Sequence, residues 1–419
     1  MLTGPLTLSL AIATALSHHP SLKASQAAVM RDQERTGQAQ SILWPQVEAS
    51  ATYNRTTANY AVTPGSLPPG FIVSGNNETN DSTNNWTGTI GARQLLFDFG
   101  KTIGSIQAAE AVADVSKSEF IQLQASVIFE TTQAYFTALQ AQELLKVQEQ
   151  TQSQHEQHLI QAKGFFQVGS RPKFDVLKAE VNLANNRVDL LKAQNAVKTA
   201  ISRLQLSMGI TESLSTSLDA GPLAPTPASY DLSTLTQQAL AKRPELITAK
   251  AKIRAADAQR MAVGSGDFPT LTGTGGYSWR GQQAPLVWNW SVGVGLSWPL
   301  FTGFNVRAQI GEADANLIVA KANEETLRQS AVLEVEQNFA DMQNAWERIQ
   351  ATDKVIEQAL EQLDLAENRY KAGTGSLVEI TDAQVSLTSA KTNRVQALAD
   401  YRIAESKLLK STGNLLALP

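Results

Sequence analysis

The chain has 419 residues and a formal net charge of −4; 18% of its residues are charged, 6% are aromatic and none is cysteine. The net charge gives no electrostatic case for binding nucleic acid, which requires a clustered basic surface, and no such cluster is found in the sequence. The absence of cysteine excludes disulfides, thiolate metal sites and the acylated cysteine of a lipoprotein. No apolar run in the sequence reaches the ~20 residues that a transmembrane helix needs.

The first apolar segment, Leu6–Leu16, resembles the core of a signal peptide. It has a counterpart in the second half of the chain, however, because Ala15–Leu22 aligns with Ala239–Leu246 and each segment carries a proline in the same place. We therefore expect the segment to belong to the mature fold, and we expect a signal peptide to have been removed ahead of Met1.

This alignment is part of an internal duplication. Further along the chain Leu96–Phe97 matches Leu300–Phe301, and the agreement holds to the end of each copy. The sequence predicts a first repeat over residues 1–209, a proline-rich linker over 210–234 and a second repeat over 235–419. Each repeat has the order helix, strand, strand, very long helix, tight turn, helix.

Two pairs of strands are predicted, over residues 46–59 and 86–97 in the first repeat and 270–280 and 288–298 in the second. Their side chains alternate between apolar and polar, as in a membrane β-barrel, and the first pair is separated by a long loop over 60–85. Four tryptophans lie near strand ends, as interfacial aromatics do: Trp86, Trp279, Trp288 and Trp298. The alternative is a soluble sandwich whose aromatic face points inward.

Four strands are too few to close a barrel, since known single-chain barrels have at least eight. Open strand edges are costly in lipid, because each unpaired backbone group there costs several kcal/mol. The sequence therefore predicts that at least two copies of the chain associate.

The long helices are predicted over residues 101–165 and 305–371, and each is about 100 Å long. Apolar residues recur every seven positions in the second one, which indicates side-by-side helix packing. Gly169 and Gly373 mark the tight turns after these helices, and each return helix is about half as long as the helix before it.

Several segments together resemble the TolC-like outer membrane efflux family over nearly the whole chain. They are Ala15–Leu16 with Pro20, the strand-to-helix segments 96–100 and 299–303, and the turns Val168, Gly169, Ser170 and Ala372, Gly373, Thr374. No single segment is specific, but their duplicated order is.

The resemblance implies a mainly α fold with a membrane β-barrel portion. Three copies would form a homotrimer with a 12-stranded barrel in the bacterial outer membrane and a periplasmic α-helical barrel. The hairpin tips would dock onto a periplasmic adaptor and an inner-membrane pump. The chain would then be a passive channel-tunnel subunit of a tripartite efflux or type I secretion system. Its cargo is left open among drugs, metal ions, metabolites and proteins.

The resemblance also implies that acidic residues close the periplasmic tip. The matching positions are Glu379 and Asp382, and Tyr370 matches a tyrosine that bridges to the residue at Asp175. Gly375 stands where the family carries an arginine of the closing latch, and Phe174 replaces a polar partner. The alternative is that Glu379 and Asp382 are solvated acids in a first helical turn, where the helix dipole favours them.

No catalytic motif is found, and we expect neither an enzyme nor a cofactor. His155 and His158 could share a metal ion, but no further ligands are evident, which favours a solvated or interhelical pair. Two other functions stay open: a periplasmic coiled-coil adaptor, which would carry a compact β domain beside one hairpin, and a soluble helical structural protein.

Overall fold

The computed structural model describes residues 5–57, 82–211, 218–219 and 230–415. It is mainly helical with one four-stranded antiparallel sheet, as the sequence predicts. In chain order the elements are α1 (Leu8–His18), α2 (Pro20–Gln40), β1 (Gln46–Thr57), β2 (Ser82–Phe97), α3 (Lys101–Gln167), α4 (Lys173–Ser207), α5 (Leu232–Lys242), α6 (Pro244–Gly264), β3 (Thr270–Gly281), β4 (Val287–Ser297), α7 (Asn305–Lys371) and α8 (Leu377–Ser411).

The segment before each pair of strands is two helices rather than the one helix that we predicted. His19 and Arg243 both adopt extended backbone angles, with ψ of 121° and 124°. Each precedes a proline, and proline disfavours helical geometry in the residue before it while suiting the first turn of the next helix. The break therefore follows from Pro20 and Pro244.

Two boundaries differ from the prediction by three residues or more. Strand β2 begins at Ser82 rather than 86, because residues 82–85 pair with the end of β1. Helix α5 begins at Leu232 inside the predicted linker, where the Asp231 carboxylate accepts a hydrogen bond of 2.9 Å from the backbone N–H of Thr234. The remaining parts of the predicted loop 60–85 and linker 210–234 lie largely outside the described residues.

The chain forms two compact units, and each contains segments of both repeats. The helical unit comprises residues 1–29, 115–250 and 322–419, and the sheet unit comprises 30–114 and 251–321. The helical unit contains the main buried apolar clusters, which pack α3 against α1 and α4, and α7 against α5 and α8.

The two repeats pack alike within the helical unit. Gly209 follows α4, and a Cβ atom there would lie 2.7 Å from the Cα of His19; Gly413 follows α8, and a Cβ atom there would lie 2.8 Å from the carbonyl oxygen of Lys242. The end of each return helix therefore abuts the break between the two helices that open its repeat. Only glycine fits this approach without a backbone shift.

Strands β1 to β4 are hydrogen-bonded in sequence order, so β1 and β4 are the edges of the sheet within one chain. Unlike the strands of a closed barrel, each edge strand leaves one row of backbone N–H and C=O groups without a partner strand in the described chain. The β2–β3 pair joins the two repeats, and it places Thr89 opposite Ser278.

Candidate functional site

The two hairpin tips have the same backbone geometry. After α3, Gly169 has φ of 70° and the N–H of Ser170 donates to the carbonyl of Phe165; after α7, Gly373 has φ of 83° and the N–H of Thr374 donates to the carbonyl of Arg369. Glycine in the left-handed region with this bond pattern is a common helix ending. The predicted tip residues 168–170 and 372–374 are all exposed.

Close packing explains the glycine at position 375. A Cβ atom on Gly375 would lie 3.0 Å from both the Cβ of Arg369 and the backbone nitrogen of Tyr370. The next residue, Ser376, caps α8, because its hydroxyl accepts a hydrogen bond of 3.4 Å from the N–H of Glu379. An arginine at 375, where the family resemblance places one, would therefore require its neighbours in the second tip to shift by a few tenths of an ångström.

Tyr370 and Asp175, two of the predicted gate residues, are brought together across the hairpins. The Tyr370 side chain is 1% exposed, and its hydroxyl donates to Oδ2 of Asp175 over 3.2 Å. The ring of Phe165 packs edge-on against the Tyr370 ring, with 5.6 Å between centroids. Burial, and secondarily the charge of Asp175, raises the pKa of Tyr370 to about 12, so the hydroxyl stays a donor at physiological pH.

Arg171 completes this contact, and sequence reasoning missed it. Its Nη2 donates to the carbonyl of Tyr370 over 2.9 Å, and its guanidinium carbon lies 4.4 Å from the centroid of the Tyr370 ring. This stacked geometry is a cation–π contact. An arginine from the first tip thus reaches the tyrosine of the second hairpin, although 375 is glycine. We call Arg171, Tyr370 and Asp175 the tip latch.

The other two predicted gate residues have different surroundings. Glu379 lies 3.4 Å from the guanidinium of Arg369, and both side chains are well exposed. Such an exposed pair contributes at most about 1 kcal/mol. Asp382 is exposed on the next turn of α8. The structure therefore gives Glu379 a counterion within its own chain and leaves the Asp382 side chain at the surface.

His155 and His158 lie on α3, about three turns before the first tip. His158 is buried, its Nε2 is 3.9 Å from the Glu367 carboxylate, and burial lowers its pKa, with Glu367 opposing and Lys371 adding to the shift. Burial and the proximity of His158 also lower the pKa of His155. Within the described residues no group of three or more His, Cys, Asp or Glu side chains could hold a metal ion.

One face of the sheet is apolar and aromatic. Register pairs on it include Trp279 with Trp288 and Gly275 with Val292, and every residue of β4 is exposed. An inward-facing soluble core would bury this face, so the soluble-sandwich alternative does not describe the single chain. We call this face the aromatic face and the opposite one the polar face. On the polar face Ser50 and Thr89 share a hydrogen bond of 2.6 Å.

The predicted interfacial tryptophans fall into two groups on the aromatic face. At the loop end, Trp86 packs on Tyr53 with ring centroids 4.5 Å apart, near Trp279 and Trp288. Trp298 follows the other end of β4 and donates from its indole nitrogen to the carbonyl of Asp267. The 11 residues of β4 span about 36 Å when extended, or about 28 Å at a tilt of ~40°, close to the ~25 Å lipid-facing band of membrane barrels.

The described helices, unlike the strands, do not match the dimensions and polarity of a membrane-spanning segment. No helix in the described part of the chain combines the length and the apolarity that crossing a membrane requires.

Comparison with known proteins identifies relatives across the whole chain. A family model described as outer membrane efflux protein matches residues 11–210 and 235–414. The outer membrane efflux protein BepC of Brucella suis is 24% identical over 418 residues, which cover 98% of this chain and 86% of BepC. The outer membrane protein TolC of Vibrio cholerae is 25% identical over 319 residues, which cover 74% of this chain and 73% of TolC.

A solved structure has the same fold. The transmembrane channel protein CusC superposes with a TM-score of 0.84 over 97% of this chain and 92% of the CusC chain, at 20% sequence identity.

Proposed function

The chain belongs to the outer membrane efflux protein family, and from that premise we propose that three copies form a passive export duct whose periplasmic tip is held by the tip latch. The observation that carries this proposal is the exposed aromatic face of a sheet with two open edges. Lipid can cover such a face, and further copies of the chain can pair with the edges.

Closure of the sheet supports the number of copies. Four strands from each of three copies make a barrel of twelve, which is within the range of known membrane barrels, whereas two copies reach only the minimum of eight. Pairing β1 of one copy with β4 of the next satisfies every edge, and this removes the cost of unpaired backbone groups in lipid.

An exposed apolar stripe on α4 supports association of the helices as well. Five side chains along this helix are spaced by three, four, seven and three residues, and each is at least 51% exposed in the single chain: Phe174, Leu177, Val181, Val188 and Leu191. This is the pattern of a helix seam that packs on another helix. In the proposed homotrimer it would pack on a neighbouring copy, and Phe174 would serve that contact rather than a polar gate.

The tip residues would control the width of the duct. We propose that Tyr370 and Asp175 hold the two hairpins of one chain together, with Glu379 and Asp382 forming an acidic ring near the three-fold axis. Two carboxylates ~6 Å apart at an effective dielectric of about 20 repel by on the order of 3 kcal/mol before salt screening. A partner that compensates this charge would favour opening.

The proposed partners follow from the family. The exposed turns 168–170 and 372–374 would dock onto a periplasmic adaptor, which connects the duct to an inner-membrane pump that supplies the energy. The cargo would be small molecules, as for two Pseudomonas putida relatives named as antibiotic and toluene efflux pump proteins, or secreted proteins. We expect no enzymatic step and no cofactor in this duct.

Single-channel recording of detergent-purified protein in a planar bilayer tests the proposal. Small conductance steps that grow when Asp382 is changed to alanine support both the duct and the acidic ring. Steps that are indifferent to this change retain the duct and reject the ring. A protein that stays soluble without detergent and never inserts contradicts the duct and favours a coiled-coil adaptor or a helical structural protein.

A further inference from the structure

The polar face of the sheet carries two arginines among small polar residues. Arg93 on β2 lies opposite Gln46 and Thr274, and Arg280 on β3 lies opposite Thr87. Both point away from the aromatic face, because side chains alternate between the two sides of a sheet. Most other described strand residues on the polar face are serine, threonine, asparagine, glutamine or glycine, which leave the arginine charges prominent.

The carboxylates on this face do not balance the arginines. Among the described strand residues the polar face carries one acid, Glu48, which is paired with Gly91 and is therefore diagonal to Arg93 at ~7–8 Å. Arg280 is about 13 Å from the level of Glu48 along the strand and about 20 Å from the level of Arg93. The distance from Arg280 to Glu48 exceeds the ~8 Å Debye length at physiological ionic strength, so Glu48 does not offset the charge of Arg280. The larger distance between the two arginines means that their charges form two separate rings.

Resting on the proposed closure of three copies into one barrel, we propose that Arg280 and Arg93 form two basic rings in the lumen that favour the passage of anionic solutes. The ligands would carry carboxylate, phosphate or sulfate groups, which guanidinium groups bind in a bidentate manner. Rings of arginine are a known source of anion selectivity in pores. The ring of Arg280 is the stronger of the two, because Glu48 partly neutralises that of Arg93.

The size of the barrel allows these charges to act on a solute at its centre. Twelve strands about 4.8 Å apart with a tilt of ~40° enclose a barrel of roughly 12 Å radius. An arginine side chain extends inward by about half of that radius, which places its charge within about one Debye length of the axis. Three charges at this distance raise the local concentration of a monovalent anion about 2- to 3-fold in physiological salt.

Reversal potentials in a potassium chloride gradient test this inference. In Arg280→Gln the chloride-to-potassium permeability ratio should fall about 4- to 9-fold, because the ring enriches chloride and depletes potassium by the same factor, and in Arg93→Gln it should fall less. The matched control is Arg55→Gln, because Arg55 lies on the aromatic face and its Nε donates to the Ser82 hydroxyl over 2.7 Å. That variant should leave the ratio unchanged.

A second variant separates charge from any effect on folding. The chain has no cysteine, so a cationic thiol reagent on Arg280→Cys should restore the wild-type ratio, and a neutral reagent of similar size should not. An unchanged ratio in the Arg280→Gln and Arg93→Gln double variant, in channels that insert normally, overturns the basic rings and leaves the duct standing. Wild-type protein that forms no channel overturns the proposed function and this inference with it.

Discussion

Replacing Arg171 with glutamine removes two contacts of the tip latch: the hydrogen bond to the Tyr370 carbonyl and the cation–π contact with its ring. A hydrogen bond from a charged donor contributes roughly 1.5–3 kcal/mol, and the lower value applies here because Arg171 is only half-buried. The cation–π contact adds about 0.5–1 kcal/mol. The change should therefore weaken the closure of each hairpin pair by about 2 kcal/mol, which shifts the opening equilibrium roughly 30-fold.

Single-channel recording in a planar bilayer measures this shift as a larger conductance and a longer dwell in the wide state. Arg171→Lys should fall between wild type and Arg171→Gln, because lysine keeps the charge but lacks the planar group that stacks on tyrosine. Arg187→Gln is the control, since Arg187 is an exposed arginine on α4, the helix that follows the turn containing Arg171. If Arg171→Gln conducts like the control while its thermal stability is unchanged, Arg171 does not hold the tip closed.

Three further changes test other parts of the account. Val292→Lys places a charge on the aromatic face and should strongly reduce insertion into lipid vesicles, at a cost of roughly 2–4 kcal/mol near the middle of the bilayer, whereas Ser291→Lys on the polar face should insert normally. Gly375→Ala should lower the free energy of unfolding by about 1–3 kcal/mol in denaturant titrations, because its Cβ overpacks the second tip; equal stability would show that the backbone adjusts freely. The pKa of His158 is lowered from 6.5 by burial, so the folded state binds its proton more weakly than the unfolded state. The stability that neutral His158 gives the folded state is therefore fully present above pH 6.5 and is lost as the pH falls towards the lowered pKa. In thermal unfolding, the melting temperature of His158→Gln should decline less than that of the wild type over that pH range.

The sequence is enough to predict most of the element types in this fold. The long helices are free of glycine and proline over most of their length, and the strands alternate with period two, so both signals are local and strong. The breaks before Pro20 and Pro244 were missed even though the signal was present. Proline is compatible with the first turn of a helix, and apolar residues on both sides of each break, such as Leu16 and Leu22, favour the reading of one continuous helix.

The tip latch shows the limit of sequence reasoning at the candidate site. Tyr370 and Asp175 were found through a family resemblance, and the structure brings them together. Arg171 was not found, because its contact partner lies 199 positions away and no spacing rule links the two. The sequence shows that glycine replaces the family's arginine at 375. It does not show the reason, because the close approach of Arg369 and Tyr370 to residue 375 exists only in the folded hairpin.

The most direct test of the central claim is whether the two edges of the sheet pair between copies. Cysteines at Ser50 on β1 and Ser291 on β4, in a chain without other cysteines, can be joined by a short bifunctional thiol reagent. The control pair, Thr89 and Ser278, faces across β2 and β3 within one chain and should give cross-linked monomers alone. Pairing of the edges between copies should give covalent species of up to three chains from the edge pair in membranes, and edge cysteines that yield only monomers would rule this pairing out.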